Sequence, residues 1–170
     1  SRLKEVVLPE NLESIQEKAF SSCSNLRKVT FKGNALKEIQ KEAFLNCRAL
    51  RTVSIPDTVE KLGTSAFSGC TSLLTVKISE NSSLREIGEM AFENSAISYF
   101  YIPKEVTASG FNGSALANCK KMRRIEVHPE SSAFNVTNNV LFSMDKTSLV
   151  YYPAGVFGSY KIPDGIRTIG

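Results

Sequence analysis

Apolar and polar residues alternate over short segments that recur along the chain. In the segment LRTVSI, Leu50, Val53 and Ile55 are apolar and both side chains flanking Val53 are polar. Alternation with a period of two predicts a short strand with one buried face. The same three apolar positions recur at Leu3/Val6/Leu8, Leu26/Val29/Phe31, Leu73/Val76/Ile78, Ile97/Phe100/Ile102 and Met122/Ile125/Val127. Proline, which lacks an amide donor and suits a strand end, follows such a segment at Pro9, Pro56, Pro103 and Pro163.

An Ala-Phe pair lies between successive predicted strands. Its alanines are 23 to 25 residues apart, at Ala19, Ala43, Ala66, Ala91 and Ala115. Phenylalanine follows in four units (Phe20, Phe44, Phe67 and Phe92), and Leu116 follows in the fifth. The spacing predicts a short helical turn in each unit, such as EKAFSSC over residues 17–23. A unit with one strand and one helical turn cannot bury its apolar face alone, so we expect neighbouring units to stack as a solenoid with parallel strands.

The four cysteines follow the alanine by four residues, at Cys23, Cys47, Cys70 and Cys119, and Ser95 takes this place in the fourth unit. On a helix, residues i and i+4 share a face, so the cysteines are expected to point inward with the alanines. The main interpretation is a ladder of reduced, buried thiols that pack. Disulfides between adjacent coils remain an alternative. Metal binding or catalysis is a weaker one, because no second ligand or base accompanies the sulfur atoms.

Composition narrows the functional classes. The chain has 170 residues, of which 42% are apolar, and this predicts one domain. The net charge of +4 tolerates an acidic partner but lacks the density of a nucleic-acid-binding tail, so no nucleic-acid partner is expected. Neither a membrane-spanning apolar run nor a signal-peptide pattern is present in the sequence. Nucleotide-binding, hydrolase and zinc-protease motifs are absent, so we expect a non-enzymatic protein without cofactor or metal.

The segment 55-IPDTVEKLGTSAFSGCTSLLTVKI-78 resembles the repeat of the BspA-type (Treponema pallidum-type) leucine-rich repeat family. The resemblance implies an α/β leucine-rich repeat solenoid with one short parallel strand and one short helical turn per coil of 23–25 residues. It also implies a hairpin-like insertion near the C-terminus, because 139-NVLFSMDKTSLVYYP-153 matches a segment that interrupts the repeats in this family. The chain departs from the repeat at three kinds of position. Ser95 replaces the cysteine, Leu116 replaces the phenylalanine, and the glycine of the Ile-Gly pair is kept only at Gly63, Gly88 and Gly170.

The resemblance divides a single domain over 1–170 into three parts. Repeat coils are expected over about 1–128, the hairpin-like insertion over about 129–159, and the start of a further, incomplete coil over 160–170. The pattern calls for another Ala-Phe turn after Ile169 and Gly170, so we expect the sequence to be a piece of a longer repeat array.

The resemblance further implies a surface or secreted protein of bacteria or protists that adheres to host matrix or cells, with a protein or extracellular-matrix partner. From the residues themselves, stacked strands predict one extended concave sheet able to bind a macromolecule. We expect Tyr99 and Tyr101 to form its binding patch, because tyrosine is enriched at interfaces. The cations expected around this patch are Lys77, Arg124 and Arg51, with His128 as a further rim residue.

Simpler interpretations stay open. The two tyrosines can merely reflect the aromatic preference of strands, and the cations can form an ordinary solvated face. The chain as a whole can be a structural spacer without a ligand, or an intracellular interaction scaffold. We expect a monomer.

Overall fold

The computed structural model describes residues 1–170 and contains fourteen short strands. Six coils each begin with a strand on the same side of the molecule: β1 (Glu5–Leu8), β3 (Lys28–Phe31), β5 (Thr52–Ser54), β7 (Thr75–Lys77), β9 (Tyr99–Ile102) and β10 (Arg124–Val127). Four coils carry a second, two-residue strand: β2 (Ser14–Ile15), β4 (Glu38–Ile39), β6 (Lys61–Leu62) and β8 (Glu86–Ile87). The C-terminal region contains β11 (Phe134–Thr137), β12 (Val140–Ser143), β13 (Ser148–Tyr151) and β14 (Thr168–Ile169). No helix is long and apolar enough to cross a membrane.

The six longer strands form where the alternating pattern predicts them. In β5 and β7 the central valine is buried and both neighbours are exposed. Neighbouring strands pair in parallel, with Val53 of β5 beside Val76 of β7. The chain thus forms a solenoid of about seven turns.

The prediction of one extended concave sheet is wrong. The longer strands form three separate parallel pairs, β1–β3, β5–β7 and β9–β10. A proline accompanies each interruption. The amide of Lys32 donates to the carbonyl of Leu8 and closes the first pair at its end. Pro56 and Pro103 follow β5 and β9 and have no amide to donate to the preceding coil.

The second strands form a continuous four-stranded parallel sheet in the order β2-β4-β6-β8. Each contributes one buried aliphatic residue, from the column that lies four residues before each alanine. Outside them, charges of opposite sign face each other in adjacent coils: Lys37 lies 3.0 Å from Glu60, and Lys61 lies 3.1 Å from Glu86. These exposed pairs contribute at most about 1 kcal/mol each, so the ladder rests mainly on burial and backbone bonds.

The predicted helical turn around each Ala-Phe pair is wrong. The segment is a run of tight turns in which the residues one before and three after the alanine have φ between 55° and 70°, as at Lys18 and Ser22. Left-handed residues cannot belong to a right-handed helix. Alternate amides donate to the next coil instead, such as Phe20 to the carbonyl of Ala43. One short 3-10 turn, Gly113–Leu116, is the only helical element.

A phenylalanine column runs through these turns at the centre of the core. The rings of Phe20, Phe44, Phe67 and Phe92 stack at centroid distances of 5.2, 5.0 and 5.5 Å and are nearly parallel. Leu116 takes the place of the next ring, and Phe92 contacts Phe100 at a tilt of 57° instead. The surrounding core is one continuous cluster of 36 buried residues.

The C-terminal strands form an antiparallel meander. β11 and β12 are joined by Asn138 and Asn139, whose φ values of 53° and 65° match the two-residue turn that favours hairpins. β12 pairs antiparallel with β13, and β14 pairs in parallel with β13. The solenoid therefore changes from parallel coils to a hairpin layer beside β10.

Candidate functional site

The concave face carries a polar cluster on the last parallel pair, β9–β10. Register places Tyr99 beside Arg124 and Tyr101 beside Glu126. The Tyr99 hydroxyl donates to Glu126 Oε2 at 2.7 Å. The guanidinium of Arg124 lies 6.0 Å from the centre of the Tyr99 ring and forms an ion pair with Glu126. Tyrosine, arginine and carboxylate therefore hold one another in fixed positions on the surface.

Partial burial and hydrogen bonding shift the pKa values of the side chains in this cluster. Burial, followed by the hydrogen bond to Glu126, raises the pKa of Tyr99 to about 12. The same hydrogen bond from Tyr99 is the main cause that lowers the pKa of Glu126. Burial, then the nearby charge of Glu80, raises the pKa of Tyr101. At neutral pH the cluster thus contains two protonated tyrosines and an ionised Glu126.

A cleft of about 840 Å³ adjoins this cluster, between β10 and the β11–β12 hairpin. Its rim includes Tyr101, Arg124 and Glu126, and its far side includes Asn135 and Met144. Met144 is 44% exposed and adds an apolar side chain to this lining. The cleft thus combines aromatic, charged and flexible apolar groups, a composition typical of protein-binding surfaces.

His128 also lines the cleft, and its ring is fixed. Its Nδ1 accepts a hydrogen bond of 3.0 Å from the backbone amide of Glu130. Because Nδ1 is occupied as an acceptor, only Nε2 is left to meet a partner.

The structure brings together only some of the expected residues. Tyr99, Tyr101 and Arg124 lie in one cluster. Lys77 lies exposed on β7, and Arg51 lies exposed just before β5. Neither lines the cleft.

Three residues of the site were not singled out from the sequence. Glu126 could have been identified from the sequence, because the parallel register of the repeat brings its carboxylate beside the tyrosine phenols. Asn135 and Met144 could not, because only the folded hairpin places them opposite β10.

The cysteine column lies in the interior beside the phenylalanine stack. Cys47, Cys70 and Cys119 are buried, Cys23 is half-buried, and all four are free thiols. Each buried thiol donates to the carbonyl of the phenylalanine in the preceding coil, at 3.2, 3.3 and 3.2 Å respectively. That carbonyl also accepts from an amide of its own coil, which belongs to a cysteine for Phe20 and Phe44 and to Ser95 for Phe92. The thiol therefore links neighbouring coils as a donor, a role that packing alone did not predict.

Burial also suppresses the reactivity of these thiols. It raises the pKa of Cys47 to about 12 and is the first cause that raises the pKa of Cys70 and Cys119. A thiol with a raised pKa is a poor nucleophile and a poor metal ligand. Ser95, which replaces a cysteine, makes a hydrogen bond of 3.3 Å with Cys119 Sγ. No group of three or more His, Cys, Asp or Glu side chains is placed to hold a metal ion.

Parallel coils of 23 to 25 residues, a stacked phenylalanine column and a leucine at the strand entrance of four of the six coils define a leucine-rich repeat solenoid. Comparison with family models makes the assignment specific. Residues 1–123 match the BspA type leucine rich repeat region in six copies. The chain belongs to this family, and the resemblance seen in the sequence is confirmed. No functionally curated protein gives a significant sequence match.

Solved structures of bacterial leucine-rich repeat proteins share the fold. The pneumococcal vaccine antigen PcpA is 30% identical with a TM-score of 0.90, over 98% of this chain and 41% of that protein. A leucine rich cell surface protein of Faecalibacterium prausnitzii is 28% identical with a TM-score of 0.75, over 96% of this chain and 50% of that protein. The T. pallidum leucine-rich repeat protein, 22% identical with a TM-score of 0.56 over 75% of this chain and 70% of that protein, shows the fold alone.

The chain spans at most half the length of the first two of these proteins. Solenoids of this family typically do no catalysis, and the neighbours include an antigen and a cell surface protein.

Proposed function

We propose that this chain is a non-enzymatic, surface-displayed or secreted module that binds a protein or extracellular-matrix partner. The binding surface is the concave face at β9–β10 together with the cleft beside the β11–β12 hairpin. Adhesion to host matrix or cells is the role that this surface serves. The description of the Faecalibacterium neighbour as a cell surface protein and of the pneumococcal neighbour as a vaccine antigen supports the location.

The observation that carries the proposal is the composition of the cleft. Its volume of about 840 Å³ is large enough for several side chains of a partner. Tyr101 offers a half-buried aromatic anchor, and Met144 offers a flexible apolar surface on the opposite side. Arg124 keeps donors beyond its contact with Glu126 for an acidic group of the partner.

The electrostatic cluster orients Arg124 beside the cleft before binding. The hydrogen bond between Tyr99 and Glu126 and the stacking of Arg124 over Tyr99 hold these side chains in one arrangement. A preorganised surface loses less side-chain freedom on binding, which improves affinity. Tyr99 thus acts mainly by positioning Arg124, whereas Tyr101 and Met144 supply contact area.

The test is binding of the purified chain to immobilised extracellular-matrix proteins and to whole cells. The double variant Tyr101→Ala/Met144→Ala is expected to weaken saturable binding about tenfold or more, because hot-spot residues each contribute roughly 1–2 kcal/mol. Phe157→Ala, which removes an 87% exposed ring outside the cleft, is the matched control and should bind as the parent does. Equal binding by the double variant rules out this cleft.

A structural spacer is the second candidate, and the continuous core supports it. The 36-residue cluster and the stacked rings make a stiff rod whether or not its surface binds anything. A spacer predicts no saturable binding to any matrix protein or cell, and unchanged function when the cleft residues are replaced.

A further inference from the structure

Positive charge is concentrated on one lateral edge of the solenoid. In each coil this edge is the stretch between the Ala-Phe turn and the centre of the following strand. It comprises residues 24–28, 48–52, 71–75, 96–99 and 120–124, which contain eight Lys or Arg residues and no Asp or Glu. The cations, all exposed, are Arg27, Lys28, Arg48, Arg51, Lys120, Lys121, Arg123 and Arg124. We call this surface the basic edge.

The stretches of the basic edge are aligned by the backbone. The amide of Ala49 donates to Ser24, that of Leu74 to Arg51, and that of Arg123 to Ser98, each bond running to the preceding coil. Successive coils are about 4.8 Å apart, so the stretches of coils three and six lie roughly 14 Å apart along the edge.

The charges of this edge are available to an external partner. Seven of its eight cations form no ion pair, and only Arg124 contacts a carboxylate, that of Glu126. The sheet β2-β4-β6-β8 differs, because Lys37 and Lys61 there face carboxylates of the next coil. Unpaired like charges repel one another, so an anion along the basic edge relieves repulsion as well as adding attraction.

A recess of about 530 Å³ interrupts the basic edge at its middle. Two features of the sequence create it. Thr71 and Ala96 have short side chains where the flanking coils carry Arg48 and Lys120. In addition, only one residue separates Ser95 from Ile97, whereas two separate the cysteine from the following apolar residue in the other coils.

Polar groups line this recess, and cations stand at both ends. Asn94 and Asn118 present side-chain amides that have no hydrogen-bond partner in the protein, and Thr71 presents a hydroxyl. Arg48 lies at one end, and Lys120 and Lys121 lie at the other. Amides that donate and accept suit the hydroxyl groups of a sugar, and the cations suit its acidic substituents.

We propose that the basic edge binds a linear acidic polysaccharide, with a sugar in the recess and anionic groups on Arg48 and on Lys120 and Lys121. The recess shares no lining residue with the cleft beside the hairpin, although Arg124 of the basic edge also borders that cleft, and the proposal goes beyond the protein-binding function proposed above. It gives the module a second, carbohydrate class of partner.

The composition of the recess favours a polysaccharide over the other polyanions. Single-stranded nucleic acids bind where aromatic side chains stack on the bases, and no aromatic residue lines the recess. Protein interfaces are built on a buried apolar centre, and Ala96 is the one apolar residue present.

The test measures binding of immobilised heparin, a sulfated polysaccharide, to the whole chain at 0.15 M salt. The variant Lys120→Glu/Lys121→Glu is expected to weaken binding about tenfold or more, because it reverses two of the contacting charges. The matched control is Lys146→Glu/Lys161→Glu, which changes two exposed lysines off the edge and alters net charge equally. The control should weaken binding by less than about threefold. If both double variants lose the same amount of heparin affinity, net charge alone explains the binding, and the proposal is overturned.

A second, charge-neutral pair of variants tests the recess itself. Asn94→Gly removes an amide at a position with φ of 58°, which glycine adopts without strain. Binding to heparin is expected to weaken about threefold to tenfold, the effect of one lost hydrogen bond. Asn138→Gly, at φ of 53° in the hairpin turn, is the control and should bind as the parent does. Unchanged binding in Asn94→Gly overturns the role of the recess.

Competing ligands identify the anion and the class of polymer. Hyaluronan, which carries carboxylates only, competes if carboxylate suffices, whereas sulfated chains alone compete if sulfate is required. Neutral dextran should not compete. No binding to heparin or hyaluronan contradicts the proposal, and so does equal competition by a single-stranded DNA oligonucleotide. Because these variants leave Tyr101 and Met144 untouched, the result is independent of the proposed protein-binding cleft.

Discussion

The four coils stacked through Phe20, Phe44, Phe67 and Phe92 differ sharply from the region that follows β9. In the stacked coils each phenylalanine meets the phenylalanine of the next coil, with rings nearly parallel at 5.0 to 5.5 Å. Beyond Phe92 the aromatic contacts lose this uniform geometry: Phe92 and Phe100 are tilted at 57°, Phe100 and Phe111 are stacked at a longer 6.4 Å, and Phe111 meets Phe134 edge-on at 78°. The stacked coils contain smaller clefts, such as one of about 500 Å³ between β3 and β5, and the cleft of about 840 Å³ lies where the chain departs from the repeat.

Single residues mark the change between the two regions. Leu116 ends the ring column, and the turn Asn138–Asn139 reverses the chain into an antiparallel hairpin. The large concave cleft lies beside this hairpin, where β10 has a parallel neighbour on one side only. We therefore expect stability to depend most on the regular coils and binding to depend most on the irregular end.

The largest expected effect is loss of a central ring. Phe67→Ala removes a fully buried side chain that stacks on two neighbours, so it should lower the free energy of unfolding by about 3–5 kcal/mol. Phe157→Ala, in the irregular region, should change it by less than about 0.5 kcal/mol because the ring is exposed. Urea denaturation measures both. A similar loss of unfolding free energy in the two variants contradicts the difference in stability between the regular coils and the irregular end.

A smaller effect follows from the buried thiols at high pH. The pKa of Cys47 is about 12 in the folded chain against 9.0 in its ordinary state, so folding retains a proton that the unfolded chain releases. The stabilisation is complete below pH 9 and is lost as pH rises toward 12. At pH 10 the loss is about 1 kcal/mol for this thiol. Cys47→Ala should therefore show a shallower fall in stability between pH 8 and pH 10 by urea denaturation, and an identical slope disproves the assignment.

Much of this contrast could be predicted from the sequence, because repeated positions constrain one another. Strand centres such as Val53 and the inward phenylalanines follow from periodicity, and the family follows from the repeat. The turns could not be assigned correctly, because an apolar residue four before the alanine looks the same in a helix and in tight turns. The deciding features were left-handed residues. Nothing in the residue type of Lys18, Glu42 and Met90 indicates this conformation, whereas asparagine or glycine three residues after the alanine, at Asn46, Gly69, Asn94 and Asn118, favours it and was an indication in the sequence.

The candidate site was predicted less well, for a physical reason. Tyr99, Tyr101 and Arg124 lie on strands whose register the repeat fixes. The cleft depends on how the hairpin lies against β10, which is set by contacts between segments without repeat symmetry. The gaps between strand pairs were not predicted either, although Pro56 and Pro103, which end β5 and β9, each lack the amide that Lys32 uses to bond the preceding coil.

Replacing Pro56 with a residue that has a backbone amide tests why β3 and β5 are not paired while β1 and β3 are. Pro56→Ala returns a donor at the position where Lys32 bonds Leu8 in the first pair. Net stability should change by less than about 0.5 kcal/mol, because the new hydrogen bond offsets the loss of proline rigidity. The new amide at residue 56 should nonetheless exchange slowly with solvent in hydrogen-exchange experiments. Rapid exchange there shows that proline is not what separates β3 from β5.

The smallest effect concerns the cluster on β9–β10. Glu126→Gln removes the carboxylate that accepts from Tyr99, so the pKa of Tyr99 should fall below 12 toward its ordinary value. Ultraviolet titration measures this pKa, with Tyr99→Phe identifying the signal. Stability at neutral pH should change by less than about 1 kcal/mol, because the pair is largely exposed. An unchanged titration means that burial alone shifts Tyr99.

The most direct measurement is hydrogen exchange of the chain with and without a matrix protein that it binds saturably. If the irregular end carries the binding surface, the partner slows exchange in peptides covering residues 124–144 and leaves those covering 28–78 unchanged. Protection confined to residues 28–78 contradicts the division of the molecule into a regular, stabilising part and an irregular, binding part.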